Sequence, residues 1–152
     1  MNHRVRAAAV LATATAVAAI AGRASASPVA IASGGATETS QTPTSMTQFG
    51  EDVVIRGTTT GALTGTLTGT NTETFTLLIQ PDGHIVYLSK GTFTGTLGDC
   101  GAVTVEYAAI LKGTLSAFTG FFTSIGGRGG PSFQATVIGG GPAFTYTGVY
   151  HC

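Results

Sequence analysis

The sequence lacks tryptophan altogether, and charged residues make up only 9% of its 152 positions. So few ionisable side chains leave a short list of groups for acid–base catalysis. Its two cysteines are far apart, without a Cys-x-x-Cys pair or neighbouring histidine pair, which excludes the usual zinc-site spacings. The motifs of serine hydrolases and P-loop proteins, Gly-x-Ser-x-Gly and Gly-x-x-x-x-Gly-Lys-Ser/Thr, do not occur. No motif therefore indicates a metal, a cofactor or a hydrolytic activity.

The beginning of the sequence differs in composition from the rest. Arg4 and Arg6 give a basic start, residues 7–22 form an Ala/Val/Leu/Ile-rich run, and residues 24–26 read Ala-Ser-Ala, a small-x-small cleavage site. An apolar run of about 16 residues falls short of the roughly 20 that a membrane-spanning helix needs. We predict a signal peptide over residues 1–26 and secretion of the remainder, in which no later segment is apolar enough to span a membrane.

Charge and cysteine content characterise the exported part. Removal of Arg4, Arg6 and Arg23 leaves four basic and seven acidic residues, a net charge of −3. Nucleic acid is not an expected partner of such a chain. Cys100 and Cys152 predict one disulfide, because an even number of cysteines in a secreted protein usually pairs. Two unpaired thiols are the alternative.

The exported part divides into two regions by composition. Residues 27–48 are rich in Ser, Thr, Ala, Gly and Pro without apolar periodicity, which predicts a flexible linker. Residues 49–152 show alternating segments separated by glycine-rich turns and no helical period, which predicts one all-β domain. The expected strands are 52–59, 61–70, 72–80, 84–97, 102–112, 115–124, 132–138 and 143–151.

The segment GALTGTLTGT, residues 61–70, alternates threonine with leucine or glycine. Side chains alternate between the faces of a strand, so the threonines lie outside while Leu63 and Leu67 lie inside. The same alternation places Glu73 and Phe75 inside. An inner face of large residues and glycines suits a small barrel, because glycine allows sharp coiling. We expect an antiparallel closed β-barrel of about eight strands, with a β-sandwich as the alternative.

The layout of residues 50–152, with strands such as GTFTGTL at 91–97 and glycine-rich turns, resembles a known group of barrels. It is similar to small secreted bacterial domains of unknown function with an allene oxide cyclase-like barrel. The resemblance implies an eight-stranded antiparallel barrel related to the calycins and the dirigent proteins. The enzymes of that superfamily bind apolar substrates inside the barrel and direct ring closure or radical coupling without a cofactor. No motif carries one of their catalytic residues onto a position of this chain.

Glu73 is the candidate catalytic group, because a carboxylate facing an apolar cavity can act as an acid or a base. Alternatively, it lies near a barrel end, at the start of its strand, and reaches water. Tyr87, Tyr107 and Tyr146 fall in predicted strands and either line a ligand pocket with Glu73 or serve packing. We expect a secreted barrel that binds a small apolar or amphipathic ligand, or a structural surface module. The alternative is a cofactor-free isomerase or cyclase. We expect no metal, and the sequence does not indicate an oligomeric state.

Overall fold

Eight antiparallel strands form a closed barrel in which neighbours in sequence are also neighbours in the sheet. The structure, a computed structural model, describes residues 28–126 and 129–152, so the predicted signal peptide lies outside the described residues. Pairing of the first strand with both the second and the eighth closes the barrel. The predicted antiparallel barrel is confirmed, and the sandwich alternative is wrong. The strands are β1 (Ala30–Phe49), β2 (Asp52–Gly65), β3 (Leu67–Ile79), β4 (Ile85–Leu97), β5 (Ala102–Thr114), β6 (Ala117–Ser124), β7 (Ser132–Gly140) and β8 (Ala143–His151).

Strand β1 corrects the expectation of a flexible linker over residues 27–48. The inward-facing residues of its first half are small, among them Ala32, Gly34 and Ala36, so the segment lacks the large apolar side chains that mark a strand. At Gly34 the backbone of β2 and an aromatic ring of β8 occupy the space that a side chain would need. A Cβ atom at Gly34 would collide with the hydroxyl group of Tyr146. The strand is therefore specified by its partners rather than by its own hydrophobic pattern.

The three strands predicted between residues 52 and 80 are in fact two, β2 and β3. The chain turns at Gly65, whose φ of 96° lies in the left-handed region that favours glycine. Gly61 and Asn71, near the predicted breaks, pair with each other inside the β2–β3 ladder. Eight strands were predicted and eight are observed, but only because β1 was missed while β2 and β3 were predicted as three strands. The other five strands begin and end within two residues of their predicted bounds.

The predicted alternation of faces holds along these strands. Leu63, Leu67, Phe75 and Phe93 are buried inside the barrel, and most of the threonines between them are exposed outside. Glu73 shares the inner face, as the alternation predicted. Within the part of the chain that the structure describes, no helix has the length and apolarity needed to cross a membrane.

One end of the barrel is packed shut; we call it the closed end. Leu67 and Leu97 are fully buried there beside Tyr146. The Tyr146 hydroxyl donates to the Thr64 carbonyl oxygen at 2.9 Å and accepts a hydrogen bond from the Leu67 amide at 2.8 Å. This ring and its two backbone partners join β8 to the β2–β3 turn.

The closed end also carries the disulfide and both ends of the paired sheet. Cys100, in the short 3-10 turn between β4 and β5, is bonded to Cys152, so the predicted disulfide is confirmed. Ala30, the first residue of β1, pairs with Tyr150 of β8. The β3–β4, β5–β6 and β7–β8 turns lie at the opposite end, which we call the open end.

Candidate functional site

The barrel contains a cavity of about 380 Å³ that reaches the open end, where Leu115 and Pro142 line it. Most of its wall is aliphatic or aromatic. A single polar region interrupts that wall, and we call it the polar wall. Its members are Glu38, Gln41, Thr59, Asn71, Glu73, Tyr87, Ser89 and Tyr107, of which Ser89 contributes by its contact with Glu73.

Glu73 is the centre of the polar wall and accepts three side-chain hydrogen bonds. The Tyr87 hydroxyl donates to Oε1 at 2.6 Å. The hydroxyl groups of Ser89 and Tyr107 donate to Oε2 at 2.9 Å and 2.7 Å. Hydrogen bonds to a charged group are the stronger kind, so this carboxylate is held firmly in place.

The barrel register explains how residues from four strands meet at this point. Thr59, Glu73, Gly91 and Tyr107 occupy successive positions of one cross-strand row over β2 to β5. A Cβ atom at Gly91 would lie 2.5 Å from the Cβ atom of Glu73. Because Gly91 has no side chain, the Tyr107 hydroxyl can reach across β4 to the carboxylate.

Glu73 occupies the middle of its strand, contrary to the expected position at a strand start. The sequence suggested that a strand begins at residue 72, whereas β3 begins at Leu67. Its carboxylate therefore lies among side chains of β4 and β5 rather than at a barrel end.

The phenols of Tyr87 and Tyr107 are held in their protonated form. Burial raises the pKa of both groups, and the adjacent negative charge of Glu73 raises each pKa further. Phe75 stacks on the Tyr87 ring with centroids 5.4 Å apart, and Phe122 meets the Tyr107 ring edge-on at 6.1 Å. These contacts fix the rings, so both hydroxyl groups remain donors to the carboxylate at ordinary pH.

Asn71 extends this network, and Thr59, the cross-strand partner of Glu73, joins β2 to β1 beside it. The Asn71 side-chain amide donates to the Tyr107 hydroxyl oxygen at 2.6 Å. The Thr59 hydroxyl donates to the Ser40 carbonyl oxygen of β1 at 2.7 Å. The described residues include no buried side-chain nitrogen or oxygen without a hydrogen-bond partner.

Glu38 supplies a second carboxylate to the cavity wall. It lies on β1, beside a shift in the β1–β2 register between Glu38 and Ser40, and it pairs with Gly61 of β2. Burial raises the pKa of the Glu38 carboxyl, and the charge of Glu73 adds to the increase. The two carboxylates are therefore close enough to influence each other.

The structure brings together three of the four candidate residues. Glu73, Tyr87 and Tyr107 form one cluster, whereas Tyr146 lies at the closed end and bonds to the backbone. Sequence reasoning missed Ser89, although it has the same parity as Tyr87 and Phe93 in β4. Asn71 could likewise have been found from the parity of Glu73.

The alternation of strand faces could not identify Glu38, because its strand was expected to be a linker. Among the described residues, no group of three or more His, Cys, Asp or Glu side chains could hold a metal ion. No protein-family model matches the chain, and no curated protein matches it. The candidate site is therefore an apolar cavity with a carboxylate, Glu73, that accepts three side-chain hydrogen bonds.

Proposed function

We propose that the protein binds a small apolar or amphipathic molecule inside the barrel. The observation that carries this proposal is the cavity of about 380 Å³. Protein interiors are packed as densely as organic crystals and leave few voids larger than a water molecule. A cavity of a few hundred Å³ is the size that small-molecule sites have.

The composition of the wall supports an apolar or amphipathic ligand. The wall includes the apolar side chains of Leu63, Phe93, Leu111 and Phe133. Binding of an apolar group there is favourable because it displaces water from apolar surface. The polar wall provides one localised set of hydrogen-bonding groups, which suits a molecule that is polar at one end. A structural module without a ligand would have little use for an open interior.

Native mass spectrometry of the secreted protein, purified from the medium of expressing cells, tests the proposal directly. We expect an additional mass of a bound small molecule that is released on denaturation. Titration with the neutral fluorescent probe N-phenyl-1-naphthylamine extends the test to protein that purifies empty. Absence of both a co-purified molecule and probe binding would favour the structural surface module.

Two neighbouring alanines of β5 provide a matched pair of variants. Ala109 lines the cavity, and Ala108, the preceding residue of β5, has its side chain on the outer face because side chains alternate along a strand. Ala109→Phe fills part of the cavity and should weaken probe binding by about tenfold or more. Ala108→Phe adds the same side chain outside and should leave binding unchanged. Equal weakening by both variants would place the probe elsewhere and contradict the proposal.

A second candidate function is a cofactor-free isomerase or cyclase, favoured by the position of Glu73 on the cavity wall. The carboxylate could accept a proton or stabilise positive charge that develops on an apolar substrate. In that case the co-purified material should contain two isomers of equal mass. Glu73→Gln should retain binding but abolish their interconversion, which chromatography of the released molecules would measure.

We also propose that the protein is secreted and related to the allene oxide cyclase-like barrels. The disulfide and the signal-peptide pattern of residues 1–26 support secretion. The eight-stranded antiparallel barrel is compatible with that relationship. Detection of mature protein in the culture medium, with an N-terminus at residue 27, would test secretion.

A further inference from the structure

We propose that the ligand carries a protonated amine, which lies against Glu73 while its apolar body occupies the aromatic part of the cavity. This inference rests on the proposed function, because it names the chemical class of the molecule that the cavity binds. It comes from three properties of the cavity: the sign of its charges, the direction of its hydrogen bonds and its aromatic lining.

The charged side chains of the cavity are all of one sign. Glu38 and Glu73 both line it, and no Lys, Arg or His occurs among the described lining residues. A carboxylate or phosphate ligand would add negative charge to this low-dielectric space without a cation to offset it. A cationic ligand instead supplies the opposite charge that the wall lacks.

The hydroxyl protons of the polar wall are already engaged within the protein. Each hydroxyl group has one proton, and Tyr87, Ser89 and Tyr107 all direct theirs to Glu73. The Thr59 hydroxyl directs its proton to the Ser40 carbonyl oxygen. These four hydroxyl groups retain only acceptor capacity toward a ligand, and Glu38 and Glu73 add carboxylate acceptors. The amides of Gln41 and Asn71 can still donate, but acceptors are in the majority, so the wall favours a molecule that donates hydrogen bonds.

Glu73 itself retains room for one more donor. Oε2 accepts two hydrogen bonds and Oε1 accepts one, whereas a carboxylate has about four acceptor positions. An ammonium group has three donors and no acceptor. It can reach Oε1 and share its other protons with the neighbouring hydroxyl oxygens, which no acceptor-only headgroup can do.

The lining around this position suits an apolar or aromatic body. The rings of Phe122 and Phe133 lie 5.1 Å apart, and that of Tyr107 lies 6.1 Å from Phe122. Aromatic faces attract cations through their quadrupoles and also pack against flat apolar groups. The same cavity can therefore hold both parts of an aryl or alkyl amine.

Three naphthalene derivatives that differ in headgroup test the proposal on the full secreted chain. They are 1-naphthylmethylamine, 1-naphthylmethanol and 1-naphthoic acid, which are cationic, neutral and anionic at neutral pH. Because the protein has no tryptophan, naphthalene fluorescence reports binding without interference from tryptophan emission. We expect the amine to bind about tenfold or more tightly than the acid, with the alcohol between them.

Three variants locate the source of this preference. Glu73→Gln should reduce the amine-to-acid affinity ratio by about tenfold, and Glu38→Gln should reduce it by a smaller factor. Glu106→Gln removes the same charge from the outer face of β5, beside Tyr107, and should leave the ratio unchanged. Circular dichroism verifies folding, and Glu38→Gln decides the question if Glu73→Gln does not fold.

The outcomes separate this inference from the proposed function. Binding of the acid as tightly as the amine, or a ratio that persists in the folded glutamine variants of the two cavity carboxylates, would overturn the inference alone. Failure of all three compounds to bind, together with failure of the neutral probe described above, would overturn the proposed function and the inference with it.

Discussion

Replacing Tyr107 with phenylalanine deletes one oxygen atom from the barrel interior and breaks two hydrogen bonds. The phenol donates to Glu73 Oε2 at 2.7 Å and accepts from the Asn71 amide at 2.6 Å. A hydrogen bond to a charged group contributes about 1.5–3 kcal/mol, and a neutral one about 0.5–1.5 kcal/mol. We therefore expect Tyr107→Phe to lower the free energy of unfolding by about 2–4.5 kcal/mol.

Tyr150→Phe is the matched control for this variant. Both tyrosines are buried, with exposed fractions of 6% and 8%. Within residues 28–126 and 129–152, however, the Tyr150 hydroxyl accepts only one long hydrogen bond, 3.4 Å from the Asp99 amide. Its loss should cost about 0.5 kcal/mol, the low end of the range for a neutral hydrogen bond.

Urea denaturation followed by far-UV circular dichroism measures both variants on the same scale, since the slope of the transition should not change. We expect a clear separation between their urea midpoints. If Tyr107→Phe is no less stable than Tyr150→Phe, the Glu73 network does not contribute to folding as the geometry indicates. If Tyr107→Phe were more stable than the wild type, the Glu73 cluster would be shown to destabilise the fold.

Two further predictions concern pH and the disulfide. The folded-state pKa of Glu38 lies above its ordinary value of 4.5, so the stability that it contributes below that pH should be lost as pH rises through the folded pKa. Glu73 and Tyr87 are the ionisable groups coupled to it, and Glu38→Gln should remove this decline in urea titrations at a series of pH values. Cys152→Ser should lower the free energy of unfolding by about 4 kcal/mol, and reduced wild-type protein should match it in thermal melts. Two free thiols in the denatured secreted protein would contradict the disulfide prediction.

Much of the barrel was predictable because its strands alternate by parity. The positions of β4 to β8 and the inward direction of Glu73 follow from that alternation and from glycine-containing turns. One exception is β1, where Gly34 leaves room for the Tyr146 ring. That ring lies in β8, more than a hundred residues away, and a local pattern cannot reveal it.

The candidate site shows the same division between local and distant information. Parity places Glu73, Tyr87 and Tyr107 on the inner face, but only the barrel register shows that their polar atoms converge. Convergence depends on Gly91, which looks like any other glycine of a repetitive strand in the sequence. Glu38 was missed with its strand, so the paired negative charge of the cavity had no sequence signal.

The position of the two ends of the sheet bears on how the barrel can be presented. Ala30 and Tyr150 pair at the closed end, and the Cys100–Cys152 bond fastens the last residue there. An affinity tag or surface linker joined before Ala30 or after Cys152 therefore extends from the closed end of the barrel. The mouth lined by Leu115 and Pro142 points the other way. Immobilised protein should consequently keep its entrance facing the solvent, which makes attachment at either terminus suitable for ligand screening.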